Sequence, residues 1–176
     1  MSLIWLLPIV TMVVAASAGV DVANFMLKLS PSHVCITLAI SFSLVTIGTV
    51  LTFSVLTIYT YRLIVHGLPE GISIFSAFLP LGALGQAGYA YLLMGEISRT
   101  LFPLTNTSLV SNIFADDIIP RFIYFCAWML AFAMWSFATF WFLLAILALG
   151  DTPRLVSLPF TIMFWGTLFP NVRFLP

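Results

Sequence analysis

Phe78-Leu79-Pro80-Leu81-Gly82-Ala83-Leu84-Gly85-Gln86-Ala87-Gly88 sits inside a span, 71–95, that carries no charge. A proline within an apolar span removes a backbone hydrogen bond and presses on the preceding turn. Gly82, Gly85 and Gly88 follow at helical spacing and reduce one face to backbone. In a bilayer such a segment is tolerated only where protein or a water-filled cavity satisfies the freed polar groups. The stretch therefore predicts a helix that lines something instead of facing lipid, with the other segments wrapped around it.

The rest of the chain supplies those segments. Of 176 residues, 62% are apolar and 7% charged, against about 25% charged in an ordinary soluble domain. The formal net charge is zero, so there is no basic surface for nucleic acid. A membrane helix needs about 20 mostly apolar residues. Five charge-free spans meet that requirement: A, 1–20; B, 34–61; C, 71–95; D, 122–150; and E, 155–172. The expectation is one membrane domain, 1–176, of all-α class: a multi-pass bundle of about five helices arranged as hairpins.

Each span has its own character. Ala16-Ser17-Ala18 in A resembles a signal-peptide cleavage site, but no Lys or Arg precedes Lys28 and Pro8 interrupts the apolar core, which favours a membrane helix. A link with Asp21, Lys28, Pro31 and His33 leads to B. Span B carries the hydroxyls of Thr46, Thr49, Thr57 and Thr60 on one stripe, readable as bonds to the helix's own carbonyls or as a polar pathway. Tyr59, Tyr61 and Arg62 form an interfacial anchor at its end. The short connection 63–70 makes B and C antiparallel neighbours. A longer loop, 97–120, contains Asn106-Thr107-Ser108, a candidate glycosylation sequon. Span D is proline-free, and its aromatic residues fall on every face, as suits broad lipid contact.

Prolines interrupt A, C and E at Pro8, Pro80 and Pro170 and are absent within B and D. This alternation predicts kinked inner helices around a path and straight outer ones. Loop charges do not fix orientation: Lys28, Arg99 and Arg121 lie on one side, Arg62 and Arg154 on the other. No catalytic chemistry is legible. Cys35 and Cys126 lie in apolar runs and read as small hydrophobes. His33 and His66 are isolated at span ends, and neither a CxxC nor an HExxH occurs. The expectation is no metal, no cofactor and no enzyme.

Several of these stretches resemble the tellurite-resistance/dicarboxylate transporter family, which includes voltage-dependent and slow anion channels, fungal sulfite efflux pumps and malate permeases. Trp5-Leu6-Leu7-Pro8-Ile9-Val10 with its Ala/Gly tail is similar to the family's fifth helix, and Tyr61-Arg62-Leu63 with Leu68-Pro69 to the end of its sixth. Phe78 to Gln86 is close to the seventh helix of the sulfite pumps, although Ala83 stands where they usually carry proline. Pro159-Phe160 with Phe164-Trp165-Gly166-Thr167-Leu168-Phe169-Pro170 resembles the ninth, and Arg173 follows where the family is usually uncharged.

The resemblance implies a partial ten-helix fold, helices five to nine, with odd-numbered helices around a pore. It implies transport of a small anion across the plasma membrane, sulfite efflux first and C4-dicarboxylate (malate) transport second. The rival is a membrane fragment that does not transport. It places the Asn106 loop outside and the Arg62 and Arg154 loops in the cytoplasm. It matches Phe169 to a ring that occludes the pore, next to Pro170, with Pro8, Pro80, Gly82 and Gly85 on the pore wall. The partners it implies are the anion and the lipid bilayer; homo-oligomerisation is left open. Such a pore needs no fixed cation, because an anion held tightly does not leave. Broken helices offer backbone N–H groups and partial dipole charge instead.

Overall fold

The computed structural model describes residues 3–67, 78–102 and 118–151. Every regular element among them is helical: a 3₁₀ turn, Leu3–Leu6, then α1 (Leu7–Met26), α2 (Pro31–His66), α3 (Leu79–Leu101) and α4 (Ile118–Asp151). The chain is an all-α membrane bundle. Helices are the expected solution in lipid, where each backbone polar group must be satisfied within its own segment. Three of them, α1, α2 and the Ile118–Leu147 part of α4, are long and apolar enough to cross a membrane. Span E and residues 71–77 of span C lie outside the described residues.

The helix ends depart from the charge-free spans for local reasons. Span A was expected to stop at 20, yet α1 continues to Met26 and carries Asp21 inside it. Pro8 was expected to interrupt this helix. It stands instead at the second residue of α1, directly after the 3₁₀ turn. Pro80 likewise occupies the second residue of α3. Nitrogens in the first helical turn have no intrahelical acceptor, so a proline there sacrifices nothing. The two prolines thus start helices rather than kink them. Pro31 opens α2 in the same way, behind an extended Ser30 (φ −158°, ψ 101°), the conformation a following proline imposes. Gly67, at φ 75°, ends α2 with its N–H donating to the Leu63 carbonyl at 3.0 Å. Such a left-handed turn suits glycine.

Packing partners fix the topology. A side chain at Gly48 of α2 would meet Val13 of α1, and Ser41 lies against Gly19, so α1 and α2 run antiparallel. Gly95 faces Ala127 and Gly88 faces Ala131, so α3 and α4 are antiparallel too. Gln86 bonds to Ser17 and Tyr89 to Asp21, so α1 and α3 are parallel neighbours. Rings close the α2–α4 contact: Phe53 on Phe137 with centroids 5.3 Å apart, and Tyr59 on Trp141 at 5.8 Å.

Burial ranks the helices. Fourteen of the 23 residues of α3 are buried, against six of 20 in α1 and eight of 36 in α2. α3 is thus the helix the others surround, as its glycine-bearing sequence requires. α2 and α4 expose Ile40, Ile47, Val50, Phe122, Phe125 and Leu143 among other large apolar side chains. That is the composition of a lipid-facing surface.

Candidate functional site

Three sides of α3 are occupied. Gln86 faces α1, and Gly88 and Gly95 face α4. Tyr91 faces α2, where its ring meets the edge of Phe42 and its hydroxyl donates to Thr49 Oγ1 at 3.5 Å. What remains uncovered is a strip with Gly85 and Leu92 half-buried and Tyr89 and Glu96 exposed. On α1 the exposed residues Pro8, Thr11, Ala15, Ala18 and Val22 form a corresponding strip. The Tyr89 hydroxyl donates to Asp21 Oδ1 at 2.7 Å and ties the edge of one strip to the other. Beside this strip, a groove of about 270 Å³ runs between Gly85, Gly88 and Tyr89 of α3 and Trp128, Phe132 and Trp135 of α4.

Polar groups recur along the α1–α3 seam. Gln86 is 2% exposed; its Nε2 donates to Ser17 Oγ, which in turn donates to the Val14 carbonyl at 2.9 Å. Gln86 Oε1 is buried without a hydrogen-bond partner among the described residues. One turn further on comes the Asp21–Tyr89 bond. Beyond it, Asn24, Lys28, Glu96 and Thr100 border a second cavity, of about 830 Å³, at that end of the bundle. Asp21 and its seam partners were not singled out by the sequence reading, which placed Asp21 in a link. A signal was available: Ser17, Asp21, Asn24 and Lys28 recur at i, i+4, i+7 and i+11, one face of a helix that runs past the first charge.

The residues expected at a pore fare differently. Pro80 and Gly82 are buried in α3, Gly85 opens on the groove and Pro8 is exposed at the start of α1. Gly88 leaves the stripe proposed for the three glycines, because residues three apart on a helix drift around it by about 60° at 3.6 residues per turn. It serves the α4 contact instead. Phe169, Pro170 and the sequon residue Asn106 lie outside the described residues. The hydroxyls of α2 take the plainer of their two readings. Thr46, Thr49, Thr57 and Thr60 each donate to the carbonyl four residues earlier, at 2.6 to 2.8 Å. Among the described residues, no three of His, Cys, Asp and Glu gather as metal ligands do.

Comparison with known proteins adds a second line of observation. Residues 1–175 match the family described as "Voltage-dependent anion channel". A sulfite efflux pump of Trichophyton rubrum is 32% identical over 172 residues, 97% of this chain and 42% of that protein. Its counterpart in Arthroderma otae is 33% identical over the same extent. The sulfite efflux pump of Candida albicans is 36% identical over 101 residues, 56% of this chain and 20% of that protein. The chain thus spans less than half the length of these relatives. No solved structure matches it at a comparable level.

Proposed function

The chain belongs to the voltage-dependent anion channel family, and on that premise we propose that it forms part of the wall of a path for a small anion, with sulfite as the first substrate and export across the plasma membrane as the outcome. The observation that carries the reading is α3. It is the most buried helix, and its uncovered strip is bordered by glycine and shared with α1. No Lys or Arg occurs between Arg62 and Arg99. A wall without fixed cations attracts an anion weakly, which conduction requires. Pro8 and Gly85 line this wall in the proposal, Pro80 and Gly82 are buried in the helix behind it, Phe169 and Pro170 form its gate, and residues 1–176 act as one membrane domain. The similar proteins are efflux pumps by name, which supports transport rather than catalysis.

Sulfite release from vesicles containing the purified chain, against empty vesicles, tests the reading. Release that added malate leaves unaffected supports sulfite. Malate flux in its place would shift the assignment to dicarboxylates. The 42% coverage of the relatives favours one specific rival, a membrane module that conducts nothing alone, and absence of both fluxes would establish it.

A further inference from the structure

We infer that Asp21, held by Tyr89, is a specificity-determining residue: a fixed negative charge on the water-facing wall of the α1–α3 pair that disfavours dianions relative to monoanions. The inference rests on the transport reading above and deepens it.

Asp21 lies inside α1, five residues before its last residue, Met26. Asp21 directly follows the charge-free span 1–20. A carboxylate there avoids hydrocarbon and faces protein or water. Asp21 is half-buried and sits at the edge of the strip formed by Ala15, Ala18 and Val22. Tyr89, which is 36% exposed, donates to Asp21 across the seam. A hydrogen bond to an ionised acceptor is among the stronger ones and fixes the carboxylate's position. The end of the strip around Ala18 and Val22 is therefore a wetted face. One turn away, Gln86 is buried, so the exposed charge on this part of the wall is that of Asp21.

Among the described residues, charges on the elements packed nearest Asp21 do not cancel this field. Lys28 lies past the end of α1, in the lining of the second cavity, which also carries the opposite charge of Glu96. The Arg99 guanidinium lies over the Tyr124 ring, 5.7 Å from its centre, on the α4 side. Near Asp21, α2 offers Ser41, an uncharged residue, against Gly19. Coulomb repulsion scales with the charge of the passing ion, so a dianion meets twice the barrier of a monoanion. At roughly 7 Å and an effective dielectric constant near 20, with allowance for screening, this separates the two by about tenfold. Among the candidate substrates, a singly charged oxyanion such as hydrogen sulfite is favoured, and the dianions of sulfite and malate are disfavoured.

The test reads the field directly and needs no transport. In the full chain with Cys35→Ser and Cys126→Ser, Ala18→Cys is reacted in membranes with cationic and anionic thiosulfonate reagents of similar size. Relative to the same pair of reagents on a free thiol in solution, the cationic reagent is expected to be favoured about a hundredfold, because the two differ by two charge units where the two anions differ by one. Asp21→Asn should bring the ratio close to one, Asp21→Glu should retain it, and Tyr89→Phe should preserve most of it because the charge remains. A ratio that Asp21→Asn leaves unchanged, or Ala18→Cys inert to both reagents, would overturn the inference. A ratio that behaves as expected without sulfite flux would remove the transport reading and leave the charged wall in place. Flux with a ratio indifferent to Asp21 would do the reverse.

Discussion

Two glycines on α3 show how less than an ångström of clearance decides the outcome of a substitution. A Cβ at Gly95 would lie 2.5 Å from the Ala127 Cβ, an atom tied to the α4 backbone. The helices would have to move apart, and overpacking of this kind costs about 1–3 kcal/mol. At Gly88 the nearest atom, the Ala131 carbonyl oxygen, is 3.4 Å away. There the gain of alanine over glycine in a helix, about 0.5–1 kcal/mol, offsets most of the crowding. Gly95→Ala should therefore lower the thermal midpoint in detergent, while Gly88→Ala should leave it nearly unchanged. Equal midpoints would show that the α3–α4 contact is looser than its geometry. Gln86 invites a related test. Its Oε1 lacks a described partner, and Ser17 keeps its own bond to the Val14 carbonyl when the amide is removed. Replacing a half-satisfied buried amide by an apolar group of similar shape is close to neutral. Gln86→Met should change stability by less than about 1 kcal/mol in chemical unfolding.

At the scale of elements, α2 and α4 are the lipid-facing helices and α3 the enclosed one. Cys126 is exposed eight residues into α4, next to the exposed Phe125. It should react with an apolar maleimide and resist a sulfonated, membrane-impermeant one in intact membranes; prompt labelling by both would place that face of α4 in water. The enclosure of α3 was legible in the sequence because Gly82, Gly85 and Gly88 cannot cover backbone from lipid. The α2–α3 neighbourhood, seen in Tyr91 against Phe42, was legible from the short connection 63–70, whereas the orientation of α3 against α4 was not read from their longer loop. The helix ends were not. Charge-free spans locate hydrocarbon, whereas helices run on into the interface, as α2 does to His66 and α3 to Leu101. The same rule hid Asp21, since a charge was taken to end span A when Tyr89, 68 residues away, accommodates it inside the helix. Pairings over that sequence distance leave no mark in local periodicity. Proline was misread as a mid-helix break because its effect depends on position, and Pro8 and Pro80 stand where helices begin.

At the scale of the whole molecule, transport and stability make opposite demands on two phenylalanines. Phe137 belongs to the cluster that joins α2 to α4, with Phe53 at 5.3 Å and Phe140 and Trp141 at 6.0 and 6.4 Å. Phe137→Ala should remove packing worth about 2 kcal/mol, less than the 3–5 kcal/mol of a fully buried ring because this one is half-buried. The deficit lies behind α3, away from the strip that α1 and α3 share, so the yield of folded protein should fall while flux per folded molecule stays constant. Phe169, in the proposed gate, should behave in the opposite way. If its ring obstructs the path, Phe169→Ala enlarges the opening and raises flux per molecule, whatever it does to yield. Sulfite flux in vesicles, normalised to folded protein for both variants, separates the two roles. A Phe169→Ala flux equal to that of the unmodified chain would deny it the gate. A rise with Phe137→Ala would mean that the path runs between α2 and α4 rather than along α1 and α3, and the assignment of inner and outer helices would have to be exchanged.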